Sequence, residues 1–152
     1  MAKEIERKFL VRDSSFRDLA VKAVRILQGY LFDTARGVLR VRIKGEKAFL
    51  TLKSANRGIT RNEWEYEIPV ADARQMLELA GNAVLEKTRF IVPFEGKVWE
   101  VDVFEGKLAG LVLAEVELPS ENTEVVLPPF VGEEVSTNPM YYNSALAASV
   151  SV

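Results

Sequence analysis

The chain has 152 residues, 48% hydrophobic and 28% charged, with 20 Lys and Arg against 22 Asp and Glu for a net charge of −2. That is one domain's worth of chain, expected over residues 1–152, and its charge balance argues against a generally basic nucleic-acid binder. Histidine and cysteine are both absent, which excludes disulfides, imidazole or thiolate metal sites and any catalytic pair built on them.

Period-two alternation organises most of the chain. A strand predicted over residues 4–11 puts Glu4, Glu6 and Lys8 on one face. Charge from the third residue onward argues against a signal peptide, and no apolar run approaches the ~20 residues of a membrane span. A cytoplasmic domain without membrane or nucleic-acid partners is therefore expected. Ser14 or Ser15 caps a predicted helix reaching residue 24, with Phe16, Leu19, Ala20, Ala23 and Val24 on its apolar side. Strands follow over 25–32 and 38–44, the second setting Arg40, Arg42 and Lys44 against Leu39, Val41 and Ile43. Beyond the turn at Gly45-Glu46, a strand over 49–53 places Thr51 and Lys53 opposite Leu50 and Leu52. Residues 62–68 oppose Glu63, Glu65 and Glu67 to Trp64, Tyr66 and Ile68. Asp72 caps a helix predicted over 73–80, and Gly81 stops it. A strand over 84–92 puts Lys87 and Arg89 on one face; after the Glu95-Gly96 turn, a strand over 98–104 does the same for Glu100 and Asp102. The last predicted strand, over 111–118, aligns Glu115 with Glu117. Pro128-Pro129 marks a loop, and Asn138-Pro139 reads as a cap and first turn leading into a helix over 140–148. Eight short strands with turns between them read as an antiparallel sheet system or barrel within an α+β chain.

An alternating strand ordinarily turns its charged face to water. Here, however, the sign of the charge is segregated by strand: Glu4/Glu6, Glu63/Glu65, Glu100/Asp102 and Glu115/Glu117 against Arg40/Arg42, Lys53 and Lys87/Arg89. A barrel with those faces inward would hold a basic wall able to bind phosphate oxygens and an acidic wall able to hold Mg²⁺ or Mn²⁺.

Glu4-Ile5-Glu6-Arg7-Lys8 resembles the ExExK signature of the CYTH superfamily, the triphosphate tunnel metalloenzymes. The likeness continues in order through Gln28-Gly29-Tyr30, Leu39-Arg40-Val41-Arg42, Thr51-Leu52-Lys53, Arg61-Asn62-Glu63-Trp64-Glu65, Lys87-Thr88-Arg89, Val101-Asp102-Val103-Phe104, Glu115-Val116-Glu117 and Tyr142-Asn143. It implies an eight-stranded antiparallel β-barrel around a charged tunnel, with a few helices packed outside.

The resemblance implies Glu4, Glu6 and Glu117 as the main ligands of Mg²⁺ or Mn²⁺, with Asp102 and Glu115 close by. It implies Lys8, Arg40, Arg42, Lys53, Lys87 and Arg89 as the triphosphate-binding residues. Glu63 and Glu65 either hold a second metal, orient the attacking water, or balance the basic strands. Lys44, Arg61 and Glu67 are marginal. Trp64, Tyr66, Trp99, Tyr141 and Tyr142 are read as outer packing, and apolar surface that few helices can cover favours a homodimer. The expected reaction is metal-dependent hydrolysis of inorganic tripolyphosphate. A class IV type adenylate cyclase, a thiamine triphosphatase and a non-catalytic polyphosphate or nucleotide binder are the alternatives.

Overall fold

The computed structural model describes residues 3–150, the side chain of Val150 excepted. In chain order these form β1 (Lys3–Val11), α1 (Phe16–Leu19), β2 (Lys22–Thr34), β3 (Gly37–Lys44), β4 (Lys47–Ser54), β5 (Thr60–Ile68), α2 (Val70–Leu79), β6 (Val84–Phe94), β7 (Lys97–Phe104), β8 (Val112–Glu117), β9 (Val131–Glu134) and α3 (Asn143–Val150). Eight strands close an antiparallel barrel in the cyclic order β1-β5-β4-β3-β2-β6-β7-β8. β1 gives one edge to β8 and divides the other, residues 3–5 pairing with β5 while Phe9 and Val11 pair with β9.

The turns follow from their residues. Gly45 has φ 61 at the first position of the two-residue β3–β4 loop, as a type II′ hairpin requires. At the β6–β7 loop Glu95 and Gly96 both have positive φ, 47 and 75, as type I′ requires.

The barrel is inverted relative to a common soluble sheet, because its apolar faces point outward and need covers. α2 lays Ala73 and Leu77 over Val41, Ile43 and Ala48. Phe16 of α1 meets the edges of Phe90 and Phe130 at 5.4 and 5.9 Å, beside buried Trp99, whose ring lies 5.6 Å from Phe9. α3 takes a different position and closes one end of the barrel, setting Leu146 and Ala147 against Leu85, Phe104 and Leu113.

Several boundaries differ from the sequence expectation. The first helix ends at Leu19, because β6 extends far enough to pair Ile91 with Lys22 and to accept the Val21 N–H at 2.9 Å. Ladder bonds with a fixed partner outweigh continuation of a marginal helix. α2 starts at Val70, with the Pro69 carbonyl accepting the Ala73 N–H at 3.0 Å, so Asp72 lies in the first turn and is not the cap. Asn138 does cap, accepting the Met140 N–H at 3.1 Å, but it starts a 3₁₀ turn over Pro139–Tyr141, and α3 begins at Asn143. β9 has no counterpart in the expectation; four residues with a glycine carry no alternation to read.

Gly29 on β2 packs its backbone under α2, where an added Cβ would lie 2.8 Å from the Ala80 Cβ and 3.0 Å from the Leu77 Cδ2. Gly29→Ala is expected to cost about 1–3 kcal/mol in urea denaturation. Because the change is on the outer face, turnover per folded molecule should hold.

Candidate active site

Alternate residues of every barrel strand face the lumen, and three strands change chemistry along that face. Leu85, Lys87 and Arg89 on β6 lie beside Phe104, Asp102 and Glu100 on β7, and Leu113, Glu115 and Glu117 continue the series on β8. All three run from apolar at the end closed by α3 to charged at the other. The charged part encloses a cavity of about 170 Å³.

Most of the predicted residues meet there. The acidic lining includes Glu4, Glu6, Glu63, Glu65, Glu115 and Glu117, and the basic lining includes Lys8, Arg40, Arg42, Lys53 and Arg89. Lys87 and Asp102 do not line the cavity. They are fully buried behind it, paired at 2.7 Å, and Arg89 forks onto the two Asp102 oxygens at 2.7 and 2.9 Å. Of the marginal residues, Lys44 and Arg61 reach the cavity, and Glu67 is exposed outside it.

Glu100, Tyr30 and Asn143 line the cavity without having been singled out as site residues. Glu100 shares the parity of Asp102, which was a readable signal. Asn143 depends on where α3 docks, for which local pattern holds no signal. Tyr142 lines a cavity of about 30 Å³ beside Glu6 and Lys8, where β1 passes from β5 to β9, so it is not simply outer packing. Trp99 is fully buried on the outer side as expected, whereas Trp64 and Tyr66 are exposed.

Ion pairs line the lumen, closing between strands that are neighbours or next neighbours in the barrel. Lys53 meets Glu4 and Glu63, each at 3.1 Å, and Arg61 meets Glu4 at 3.0 Å. Lys8 lies 3.3 Å from Glu115 and donates to the Tyr141 carbonyl at 3.0 Å. Arg40 lies 3.5 Å from Glu65, which also accepts from the Thr51 hydroxyl at 2.9 Å; the buried Arg40 Nε has no partner among the described residues. Burial pushes Glu4 and Glu115 upward, but the cations around them win and hold both well below the usual carboxylate range.

Other carboxylates go the opposite way. Glu6 directly faces Glu117 across the β1–β8 ladder, and Glu100 faces Glu115 across β7–β8, where like charges repel. Burial, then Glu115 and Glu4, push the Glu6 carboxyl well above its ordinary value. Burial, then Glu4, Glu63 and Glu100, raise Glu117. Such an all-oxygen, mutually repelling donor set fits a hard divalent cation. Among the described residues no three carboxylates sit close enough to enclose an ion by themselves. A hard divalent cation can take a few carboxylates and complete its shell with water or ligand oxygens.

A family model described as the CYTH domain matches residues 2–147. The chain belongs to the CYTH domain family. This CYTH chain is 47% identical over 147 residues to an inorganic triphosphatase of Acetivibrio thermocellus, covering 96% of the chain and 94% of that relative. It is 40% identical over 151 residues to an inorganic triphosphatase of Nitrosomonas europaea, covering 97% and 98%. A solved inorganic triphosphatase structure, 40% identical, superposes with a TM-score of 0.71 over 97% of this CYTH chain and 95% of the other. The barrel implied by the sequence resemblance is thus the fold observed.

Against the push of burial, Arg89 and Lys87 hold the Asp102 carboxyl down to about 2. A carboxyl held low in the folded state stabilises above its unfolded value of about 3.9 and loses that contribution as pH falls through its folded value. Asp102→Ala leaves two buried cations without their counter-ion, so a loss of about 3–5 kcal/mol at neutral pH is expected. Denaturant titrations from pH 7 to 2 should also show a shallower acid limb in the variant than in the native chain.

Proposed function

We propose that the chain is a divalent-metal-dependent phosphoanhydride hydrolase that acts on inorganic triphosphate and releases orthophosphate. The observation that carries this reading is a buried basic wall facing repelling carboxylates in one cavity closed at its far end. A linear triphosphate supplies oxygens along its length for such a wall. Among the described residues lining the cavity Tyr30 is the one aromatic, so a stacking platform for a nucleobase is lacking. The names of the two curated relatives point the same way.

In this reading Arg40, Arg42, Lys53, Arg89 and Lys8 hold the phosphate oxygens by charge-assisted hydrogen bonds and set the phosphates in line. Lys87 and Asp102 act behind the wall, with Asp102 aiming Arg89 rather than serving as a ligand. Glu6 and Glu117, with Glu4 and Glu115 beside them, would hold the metal. Mg²⁺ or Mn²⁺ held there would supply positive charge against that developing on the transferred phosphoryl oxygens. Glu63 and Glu65, at the open side of the cavity, orient the attacking water, and Glu63 is placed to accept its proton. Burial raises the Glu63 carboxyl, and Glu4 adds to that rise against the pull of Lys53.

The same proposal places the whole chain in the cytoplasm as one domain without a nucleic-acid or membrane partner. No helix among the described residues is long and apolar enough to cross a membrane. Phe32, Leu39, Leu52 and Trp64 form a cross-strand row on the outer face of β2–β5, with Phe32, Leu52 and Trp64 exposed, and that row favours a homodimer.

A phosphate-release panel with Mg²⁺ or Mn²⁺ tests the activity. Turnover should be highest with tripolyphosphate, ahead of ATP, thiamine triphosphate and pyrophosphate. Cyclic AMP as the main product from ATP would shift the assignment to a cyclase, and tight binding without release would make the chain a binder. Glu6→Gln keeps shape but removes charge, so metal-dependent turnover should fall by at least ~100-fold with the fold retained.

A further inference from the structure

The lumen cations differ in how they are neutralised. Lys8 pairs with Glu115, Lys53 with Glu4 and Glu63, Lys87 with Asp102, Arg89 with Asp102, and Arg40 reaches Glu65. Among the buried lumen cations Arg42 is the exception. It is 8% exposed, yet among the described residues it makes no ion pair, and its Nε donates at 2.8 Å to the amide oxygen of Gln28.

Gln28 is fully buried, and its amide is polarised by a chain of contacts. Lys87 can only donate, so Asn143 must turn its Oδ1 toward the Lys87 Nζ at 2.8 Å. The same Oδ1 accepts from the Gln28 Nε2 at 3.3 Å, which also reaches the Tyr30 hydroxyl at 3.2 Å. With its NH₂ committed there, Gln28 has only its oxygen left for Arg42, and a guanidinium needs an acceptor.

We infer that Gln28 is a positioning residue of the phosphate site: it aims the Arg42 guanidinium through a neutral acceptor and so leaves its charge uncompensated for the substrate. A carboxylate of the same length would hold the guanidinium equally well but would neutralise it. Burial, then Arg40 and Arg89, already lower Arg42 to about 9, so keeping this cation charged is costly. Asn143, delivered by α3, is the second member of the device, since it fixes which way the Gln28 amide points. The inference rests on the proposed triphosphate site, and it adds which cation is kept free and how.

The experiment uses the full chain as wild type, Gln28→Glu and Gln28→Met, read by melting temperature without ligand and by steady-state kinetics with tripolyphosphate and Mg²⁺. Gln28→Glu supplies the missing counter-ion. It should raise the ligand-free melting temperature above wild type while raising KM about tenfold or more, the loss of one charge-assisted contact, with kcat changed by less than about threefold. Gln28→Met removes the acceptor without adding charge; it should lower the melting temperature and raise KM as well. A merely structural glutamine would link lower affinity to lower stability in both variants, so the opposite signs in Gln28→Glu are diagnostic. A Gln28→Glu chain that melts below wild type, or a KM within about twofold of wild type in either variant, overturns the inference. If wild type releases no phosphate from tripolyphosphate, the substrate reading fails. The ligand-free melt of Gln28→Glu still decides whether Arg42 stands uncompensated.

Discussion

Opposite charges facing one another across a confined lumen are the constraint on which the rest of this structure depends. β3, β4 and β6 carry most of the basic inner residues, with Lys8 on β1 and Arg61 on β5, and β1, β5, β7 and β8 carry the acidic ones; their pairs close at 2.7 to 3.6 Å between strands that are neighbours or next neighbours in the barrel. Neither wall is stable by itself, because like charges buried together repel and ions out of water are costly. Turning charge inward also leaves the apolar faces outside. α1, α2 and the segment after β8 serve as covers for those faces, as the grouping of Phe16, Phe130 and Leu118 with Trp99 and of Ala73 and Leu77 with Val41 shows. The hydrophobic core is therefore divided into patches around the barrel, and the middle is left to chemistry.

Compensation inside the lumen is graded. Asp102, behind the wall, holds Lys87 and Arg89 with both oxygens and acts as fixed counter-charge. Glu4, Glu63, Glu65 and Glu115 make pairs inside the cavity that an incoming phosphate can compete for. Among the described residues Arg42 has only a neutral acceptor, and the Arg40 Nε has none. On the acidic side Glu6 and Glu117 face each other directly across the ladder. An anion beside Arg42 and Arg40 together with a cation beside Glu6 and Glu117 would relieve both defects at once, which is the electrical basis of the metal–polyphosphate site we propose.

α3 gives the lumen its depth. Leu146 and Ala147 fill the end lined by Leu85, Phe104 and Leu113, while Asn143 and the Tyr141 carbonyl reach the amines of Lys87 and Lys8. One short C-terminal segment thus both closes the tunnel and orients its cations, joining residues more than 100 positions apart, such as Gln28 and Asn143.

Strand parity was legible in the sequence from simple alternation, and with it came the segregation of sign, the two hairpin turns and most of the charged side chains that share the cavity. That worked because a strand places i and i+2 on one face regardless of its surroundings. Parity does not say which face is the inside. Here the ordinary preference for charges in water was overridden by closure of the sheet, and only family resemblance anticipated it. Depth along a strand was equally invisible: Lys87 and Arg89 have the same parity and both lie beside β7, yet one lies behind the wall and the other on it, because the first sits at the end that α3 closes. The limits of α1, the β9 pairing and the meeting of Asn143 with Gln28 were likewise decided by tertiary structure, since each depends on a hydrogen-bond partner supplied from far along the chain.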